Sequence, residues 1–398
     1  MLILKDKPED FIVEEIALNG KILQIDTNIS ASDLGVSELD NGDYLVFVMQ
    51  KRNWNTSQAL RRIARYLSKG KKSFSFAGTK DRKAVTTQLC SIYKADIDKL
   101  KAMKIKDIKI NGAFYYNKPV KLGDLLGNRF RIILRGEHKP VSDQIEQYGR
   151  FPNFFGEQRF GFRDNNVKIG LELLRGNIKE AVILYLTDTS NELNKLAIEA
   201  RERLRREMDF KKALEYFPKY LKYERSVIEY LSRYENYANA FRRLPRQLLL
   251  MFIHSVDSYI FNRELQLRIE QGISRMENDL YTKPDFYGFP SRELSKDYDE
   301  SSFVMMPLIG YNTELNSIEK QILEELSIDK ESFKVKHMPE LNAKGSYRAA
   351  YAPYKNLYIK DSKDIIEVGF EIPAGSYATT LLRYKGLEYK EVKELESN

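Results

Sequence analysis

The segment at residues 76–88 carries the most unusual combination of side chains in the sequence. It reads Phe-Ala-Gly-Thr-Lys-Asp-Arg-Lys-Ala-Val-Thr-Thr-Gln, so a turn containing glycine presents Asp81 among Lys80, Arg82 and Lys83. An ionised carboxylate beside cations that line a phosphate-binding groove can act as a nucleophile or a base. The same pattern is also typical of a charged surface turn, in which Asp81 only balances its neighbours. Apolar residues before and after the turn favour a turn that is fixed to a core.

Side chains for other kinds of catalysis are scarce. The sequence contains a single cysteine, Cys90, and three histidines, His138, His254 and His337. These residues are too few and too widely spaced for a zinc site or a Cys/His pair. We therefore expect any chemistry to come from carboxylates, lysines and the sugar-phosphate of a substrate.

Composition and charge indicate a globular protein with an anionic partner. Hydrophobic residues make up 42% of the 398 residues and aromatic residues 12%, which excludes a wholly disordered chain. Lys and Arg number 65 against 57 Asp and Glu, and this net charge of +8 favours an acidic partner. One cysteine forms no intrachain disulfide, and we find neither a signal-peptide pattern nor an apolar run of the ~18 residues that span a membrane. We therefore expect a cytoplasmic protein.

Hydrophobic periodicity predicts the elements that position the turn. Residues 11–16 alternate in polarity and predict a half-buried strand, and residues 44–49 predict a central strand. Asn55-Thr56-Ser57 offers an N-cap for a helix over residues 58–69. Off the apolar stripe of this helix lie three arginines, Arg61, Arg62 and Arg65. They place positive charge directly before the turn.

Five short motifs occur in order along the chain. They are Lys-Asp-Lys-Pro-Glu-Asp-Phe at residues 5–11, Phe-Ala-Gly-Thr-Lys-Asp-Arg-Lys-Ala-Val-Thr at 76–86, Leu-Gly-Asn-Arg-Phe at 126–130, Phe-Pro-Asn-Phe-Phe-Gly-Glu-Gln-Arg-Phe-Gly at 151–161 and Ile-Pro-Ala-Gly-Ser-Tyr-Ala-Thr-Thr at 372–380. Each resembles a motif of the TruD family of tRNA pseudouridine synthases, and together they resemble an archaeal-like member. The likeness is weaker after Arg383, where the family commonly continues with glutamate and this chain has Tyr384.

The resemblance implies a fold and a division of labour. β-like sequence at both ends of the chain flanks a helical middle, which by itself indicates an α+β protein with an inserted domain. The family implies a catalytic pseudouridine-synthase domain with a mixed, largely antiparallel sheet and flanking helices, which we place at residues 1–150 and 346–398. It also implies an inserted, helix-rich α/β TRUD domain that binds and selects RNA, which we place at residues 151–345.

The resemblance also implies an activity, the conversion of a uridine in tRNA, at position 13, to pseudouridine. Such enzymes need no metal or other cofactor, and we expect tRNA as partner, with no membrane and no obligate protein partner. The family's catalytic aspartate falls on Asp81, which would attack either uracil C6 or ribose C1′; both routes stay open. Lys5 would pair with Asp81 and keep it ionised, although a lysine before a turn is ordinarily only solvated.

Further residues are assigned to the substrate by the same resemblance. Phe130 would stack on a base flipped out of the RNA, although an aromatic residue at such a corner is more often part of the core. The substrate-binding residues implied are Phe11, Asn128, Phe130 and Tyr377. The candidate contacts to the RNA backbone are Arg61, Arg62, Arg65, Lys80, Arg82 and Arg159.

Two other interpretations are open at this point. A non-catalytic RNA-binding protein or chaperone could use the same basic cleft, and would leave the nucleosides of a tRNA unchanged. A nuclease or deaminase would normally recruit a metal. The sequence has no His/Cys cluster to hold one, but magnesium bound by carboxylates stays open.

Overall fold

The structure is a computed structural model of the chain, and it describes residues 1–161 and 163–391 apart from the side chain of Lys71. The chain divides into two compact units. The first comprises Met1–Phe151, Pro284–Ser291 and the described residues from Tyr351 onward; the second comprises Pro152–Lys283 and Arg292–Ala350. Residues 392–398 of the predicted catalytic domain lie outside the described part. The roles assigned to the two domains stay predictions.

The described residues form strands along most of the first unit and at three places in the second. The strands are β1 (Leu2–Leu4), β2 (Phe11–Ile16), β3 (Tyr44–Arg52), β4 (Phe74–Phe76), β5 (Val85–Tyr93), β6 (Ile108–Tyr116), β7 (Gly127–Arg135), β8 (Gln144–Pro152), β9 (Leu280–Thr282), β10 (Phe303–Leu308), β11 (Ser346–Ala349), β12 (Tyr351–Ser362), β13 (Ile365–Pro373) and β14 (Tyr389–Glu391).

The α-helices are concentrated between the two sequence segments that build the first unit. They are α1 (Thr56–Tyr66), α2 (Ile97–Lys101), α3 (Asn166–Leu174), α4 (Ile178–Thr187), α5 (Lys195–Glu207), α6 (Phe210–Tyr216), α7 (Lys222–Leu231), α8 (Tyr237–Phe241), α9 (Arg246–Glu270), α10 (Ser317–Glu325) and α11 (Ala378–Tyr384).

The first unit is built on an 11-stranded sheet whose central path runs β6-β3-β5-β2-β7-β13-β12-β8. Strand β2 pairs in parallel with β5 and antiparallel with β7, so it joins the N-terminal and C-terminal parts of the sheet. All six residues of β2 are buried, so the prediction of a half-buried strand was wrong. Strand β2 has a neighbouring strand on each side, and both of its faces are covered. Its polar residues, Glu14 and Glu15, are therefore buried along with its apolar ones.

One face of this sheet is covered by helices. Because side chains alternate along a strand, Phe11 of β2 and Phe130 of β7 share a face. On that face Leu381 and Leu382 of α11 join their core. Leu60 and Ile63 of α1, with Leu67 directly after the helix, contribute to a second core over β3 and β5. The α+β fold class with a mixed sheet is confirmed.

The second unit is mainly helical, with a core of its own. Helix α9 contributes five buried residues, Leu249, Phe252, Ile253, Val256 and Ile260, to a cluster that includes side chains of α3, α4, α5 and α7. Strands β9, β10 and β11 form a separate three-stranded sheet. Among the described helices, none combines the length and apolar character needed to cross a membrane.

Candidate functional site

The turn that carries Asp81 connects β4 to β5. The main chain before Asp81 is fixed to β5, because the Ala77 N–H donates to the carbonyl of Leu89 at 3.1 Å and the Gln88 side-chain amide donates to the carbonyl of Gly78 at 2.8 Å. The carboxylate of Asp81 keeps 36% of its side-chain surface exposed. A rigid backbone therefore presents a partly exposed carboxylate.

Helix α1 holds the other side of the turn. The Lys80 N–H donates to the hydroxyl of Thr56 at 3.1 Å, and that hydroxyl donates to the side-chain oxygen of Gln88 at 3.0 Å. Thr56 is the first residue of α1, directly after the predicted N-cap Asn55, whose side chain accepts the Ser57 N–H at 2.9 Å. The cap thus also positions the hydroxyl that binds the turn.

Lys5 lies against Asp81, as the sequence predicted. Its ammonium is 3.4 Å from Asp81 Oδ2 and 3.0 Å from Glu391 Oε1, and it sits 4.3 Å from the centre of the Phe11 ring. The residue is 5% exposed. Burial alone lowers the pKa of Lys5, but the negative charges of Asp81 and Glu391 outweigh burial, and its pKa lies above the ordinary value. Lys5 is therefore a cation in this site.

A second buried lysine supports the turn from below. The Lys51 ammonium donates to the main-chain carbonyl of Asp81 at 2.7 Å and lies 3.5 Å from that of Lys80. The side chain is fully buried. Burial lowers the pKa of Lys51 to about 8, although the Asp81 carboxylate acts in the opposite direction. Lys51 therefore fixes the backbone of the reactive residue rather than its carboxylate.

Lys80 corrects one expectation. It was a candidate RNA contact, but its ammonium is buried and lies 2.7 Å from Glu15 Oε2, with side-chain exposures of 4% and 1%. Burial raises the pKa of Glu15, and the Lys80 charge opposes that effect. Because a buried ammonium paired with a carboxylate cannot reach a phosphate, Lys80 is a support of the turn and not a surface contact.

The aromatic residues predicted to line a substrate pocket are largely covered. Phe11 is 2% exposed and Phe130 is 8% exposed. Phe130 packs edge-on against Phe11 at 5.9 Å and is stacked on Phe370 at 5.3 Å between ring centres. Rings this deeply buried belong to the core of the sheet, so burial does not support the base-stacking role predicted for Phe130.

Asn128 differs from these packed aromatic rings because its buried atom is polar. It lies on the same face of β7 as Phe130 and is in register with Glu15. Its side-chain oxygen is buried, and among the described residues it has no hydrogen-bond partner. A buried acceptor that no described residue satisfies is available to a donor from outside the chain. Tyr377 is half-buried just beyond β13, whose last residue, Pro373, pairs with Gly127.

The remaining predicted RNA contacts fall in two places. Arg61, Arg62, Arg65 and Arg82 are exposed residues of α1 and of the turn in the first unit. Arg159 belongs to the second unit, where it is half-buried and donates to the hydroxyl of Ser258 at 2.9 Å. Four of these arginines therefore lie at the surface of the first unit, on α1 and on the turn, whereas Arg159 belongs to the second unit.

Sequence reasoning missed three charged residues of the site, namely Glu15, Lys51 and Glu391. Glu15 lies in a strand predicted to be half-buried, where a charged residue is expected on the exposed face, and Lys51 lies beyond the predicted strand at residues 44–49. Both are buried because β2 is covered on both faces and β3 extends to Arg52. Glu391 lies 386 residues from Lys5, and β1 reaches it only through parallel pairing with β14.

The site as a whole consists of a held carboxylate with a cationic partner. Among the described residues no group of three or more His, Cys, Asp or Glu side chains is placed to hold a metal ion. Such an arrangement can attack an electrophilic carbon through Asp81, while the Lys5 ammonium holds the carboxylate in place.

Comparison with known proteins identifies the family. The family model of tRNA pseudouridine synthase D (TruD) matches residues 2–384. A protein of Methanosarcina mazei named probable tRNA pseudouridine synthase D is 35% identical, covering 99% of this chain and 94% of its own, and one of Archaeoglobus fulgidus with that name is 34% identical, covering 96% and 93%. The crystal structure of the M. mazei putative enzyme matches with a TM-score of 0.71 at 31% identity, over 97% and 93% of the two chains. The chain belongs to the TruD family of tRNA pseudouridine synthases and is an isomerase of that family.

Proposed function

We propose that this enzyme converts uridine 13 of tRNA to pseudouridine in the cytoplasm, with Asp81 as the nucleophile. One observation carries the assignment of the nucleophile. A carboxylate that is 36% exposed stands on a fixed turn, 3.4 Å from an ammonium that is itself almost fully buried. A buried counter-charge keeps a carboxylate ionised and aimed without covering it.

The proposed reaction needs no redox partner because its product is an isomer of its substrate. Asp81 attacks uracil C6 or ribose C1′, and either route leads to cleavage of the N1–C1′ bond. The base rotates while it stays in the pocket and C5 bonds to C1′. The bond from Asp81 to C6 or C1′ breaks and releases the carboxylate, and the proton on C5 is lost as N1 gains one. Lys5 touches the nucleophile and stabilises its negative charge before attack.

Asn128 is the proposed contact to the nucleotide. Its orphaned side-chain oxygen can accept a hydrogen bond from the N3–H of uracil or from a ribose hydroxyl, and its amide nitrogen can donate to a carbonyl of the base. Register places it beside Glu15, which pairs with the residue before Asp81. The Asn128 amide therefore lies on the same face of the sheet as Glu15, which binds Lys80 of the turn.

The exposed arginines beside the turn are the proposed backbone contacts. Arg61, Arg62 and Arg65 project from α1, whose first residue binds the turn through its hydroxyl. Arg82 follows the nucleophile directly. Such a cationic surface attracts the phosphates of RNA without reading sequence, so we expect binding that weakens steeply with salt.

The experiment incubates the purified protein with an unmodified tRNA transcript, followed by carbodiimide treatment and mapping of reverse-transcription stops. The expected result is a new stop that reports position 13, absent when the transcript carries cytidine there. D81N is expected to give no stop, whereas the matched control D43N, at an exposed aspartate 4.0 Å from Lys94, is expected to match the wild type.

The possible outcomes separate the parts of the proposal. A stop at another position would reject uridine 13 but keep the activity. Binding of the transcript without any carbodiimide-resistant product would favour the non-catalytic RNA-binding protein. Full product with D81N would reject Asp81 as the nucleophile.

A further inference from the structure

Lys5 binds a second carboxylate besides that of Asp81. Its Nζ lies 3.0 Å from Glu391 Oε1 and 3.4 Å from Asp81 Oδ2, so the two carboxylates flank one ammonium. The Glu391 side chain is 30% exposed and the Asp81 side chain 36%, whereas that of Lys5 is buried. The two oxygens are separated by no more than the sum of these distances, so a nucleoside bound at Asp81 also lies near Glu391.

Strand pairing, in addition to the ion pair, holds Glu391 in this place. Strand β14 pairs in parallel with β1, with Leu4 opposite Glu391, and Lys5 follows β1 directly. The hydroxyl of Tyr389, in the same strand, donates to the carbonyl of Thr379 in α11 at 3.2 Å. The main chain at Glu391 is thus fixed by both β1 and α11, as a catalytic group requires.

One oxygen of Glu391 has no partner within the described chain. Oε1 accepts from the Lys5 ammonium, whereas none of the described residues donates to Oε2. Glu15, the carboxylate that pairs with Lys80 at 2.7 Å, is 1% exposed and cannot reach a substrate. Besides Asp81, Glu391 is therefore the accessible carboxylate that contacts Lys5, and its Oε2 can accept a proton.

The reaction itself requires a proton acceptor. Pseudouridine forms only when C5, once bonded to C1′, loses its proton. On the route through C6, Asp81 is still bonded to C6 at that moment, so its attacking oxygen is not free to take the proton. On the route through C1′, the Asp81 carboxylate has just been displaced, and a second base can still assist. A separate carboxylate near the nucleophile meets the requirement on both routes.

We propose that Glu391 is the general base of this reaction and takes the proton from C5 after C5 has bonded to C1′. The role rests on the proposed function. It concerns a residue beyond the segment that the family model matches, residues 2–384.

The bonds and protons of the proposed step balance. Glu391 Oε2 forms the new O–H bond, and the electron pair of the C5–H bond restores the C5=C6 double bond of the ring. On the C6 route this shift expels the Asp81 carboxylate, and on the C1′ route it returns the N1=C6 electron pair to N1. Because its side chain is partly exposed, Glu391 then passes the proton to water, from which N1 takes one.

The experiment compares E391Q, whose amide still accepts a hydrogen bond from Lys5 but takes no proton, with the control E146Q. Glu146 is a matched control because its side chain is 35% exposed and pairs with Lys385 at 2.6 Å in the same unit. Single-turnover pseudouridine formation with tRNA fully bound is measured by digestion to nucleosides and mass spectrometry. For E391Q we expect a rate at least about a hundredfold below that of the wild type, with tRNA affinity within a few-fold, and for E146Q the wild-type rate.

A hydrogen isotope distinguishes a base from a residue that only positions Lys5. Each reaction is run with a transcript made from ordinary UTP and with one made from UTP deuterated at C5. Because breakage of the C5–H bond becomes slow in E391Q, we expect this variant to convert the deuterated transcript more slowly than the ordinary one. In K5M the attack by Asp81 is slow instead, so both transcripts should react at the same rate.

A second variant, E391A, tests the same role by returning the missing carboxylate. Sodium formate should raise the rate of E391A above that in sodium chloride of equal ionic strength, because a formate ion fits the space that the side chain leaves. Formate should not raise the rate of K5M. An E391A protein that binds tRNA like the wild type and does not respond to formate would contradict the proposal.

The isotope results separate the roles that Glu391 could have. A low E391Q rate that is equal on both transcripts would show that Glu391 acts only through Lys5, and would reject the base. An E391Q rate within about twofold of the wild type would also reject it. A wild-type protein that binds tRNA but forms no pseudouridine would reject the proposed function, and the role of Glu391 with it.

Discussion

Each unit of this protein buries a group of charged side chains, and the two groups differ in composition. The lysine cluster of the first unit consists of Lys5, Lys51, Lys80, Glu15, Asp81 and Glu391. The carboxylate cluster of the second unit consists of Glu264, Arg268, Asp279, Asn316 and Glu319. In the lysine cluster the buried members are three lysines and one glutamate, Glu15. In the carboxylate cluster one arginine, Arg268, is buried with three carboxyl groups.

The carboxylate cluster is closed on itself. Arg268 lies 2.7 Å from both Glu264 and Asp279, and Asn316 donates to Glu264 at 2.9 Å. The Asn316 N–H also donates to Glu319 at 2.7 Å, which completes a capping box at the start of α10. All five residues are at most 6% exposed. The cluster joins α9, α10 and the chain before β9, and none of its five members is exposed.

The lysine cluster differs in having members that face outward. Asp81 is 36% exposed and Glu391 30%, while Lys5, Lys51 and Lys80 are buried around and beneath Asp81. Both clusters contain carboxyl groups with raised pKa values, Glu15 and Glu319. A perturbed buried charge therefore does not by itself mark a catalytic site; an accessible group held by such charges does.

The largest effect that would test this contrast is expected for Lys80. In K80M, Glu15 would be left as a buried carboxylate without its cation, and we expect the free energy of unfolding to fall by about 3–5 kcal/mol. Urea unfolding of the purified variant measures this change. The double variant E15M/K80M should regain more than half of the loss, because it removes both charges. A K80M protein as stable as the wild type would show that the pair is not a structural support.

A smaller effect, and one on catalysis, is expected for Lys5. K5M should lower the rate of pseudouridine formation about a hundredfold, or about 2.7 kcal/mol of barrier, since it removes the charge beside Asp81. Binding of tRNA should stay within a few-fold. The matched control is K21M, at a partly exposed lysine that pairs with Asp33 at 2.7 Å. A loss confined to tRNA affinity would make Lys5 a phosphate contact instead.

A further effect, expected to be small for each pH unit, concerns the pH dependence of stability and the carboxylate cluster. Burial and the negative charge of Glu264 raise the pKa of Glu319 from 4.5 to about 8. Between these values the folded chain binds more protons than the unfolded chain, so the free energy of unfolding falls as pH rises through this window, by at most about 1.4 kcal/mol per pH unit for one proton. E319Q, which cannot ionise, should flatten this slope.

Urea unfolding at pH 5, 6, 7 and 8 measures that slope. The control E324Q changes an exposed glutamate of the same helix and should keep the dependence of the wild type. An unchanged slope in E319Q would mean that other groups titrate in this window. In either variant pseudouridine formation at neutral pH should stay near that of the wild type.

Local features of the fold could be predicted because short-range interactions determine them. The N-cap of α1 lies within the predicted run Asn55-Thr56-Ser57, at Asn55, and the helix runs over Thr56–Tyr66 and not over residues 58–69. It starts earlier because Asn55 is itself the cap, and it ends earlier because Ser68 adopts a left-handed conformation, φ 52°. The central position of the strand at Tyr44–Arg52 was also predicted correctly, since it pairs with β5 and β6.

The surroundings of Asp81 could be predicted only in part. Lys5 was found through its motif, whereas Lys51 and Glu391 meet the turn through strand pairing that joins distant parts of the chain. The burial of Phe130 could not be predicted from its motif. Strands β2 and β13 flank β7 and help to bury the ring, and the residues near Phe130 in sequence do not indicate this pairing. Strand β10 pairs with β9 and β11, and α10 packs in the core that α9 helps to form, so the packing of both elements depends on partners elsewhere in the sequence.

The measurement that tests the central claim most directly is single-turnover pseudouridine formation by D81N and E319Q, each at tRNA concentrations that saturate binding. The two substitutions replace one carboxyl group of the lysine cluster and one of the carboxylate cluster by an amide. We expect D81N to lose at least about a thousandfold in rate with tRNA still bound, and E319Q to stay within about twofold of the wild type. A D81N rate within tenfold of the wild type would contradict the account.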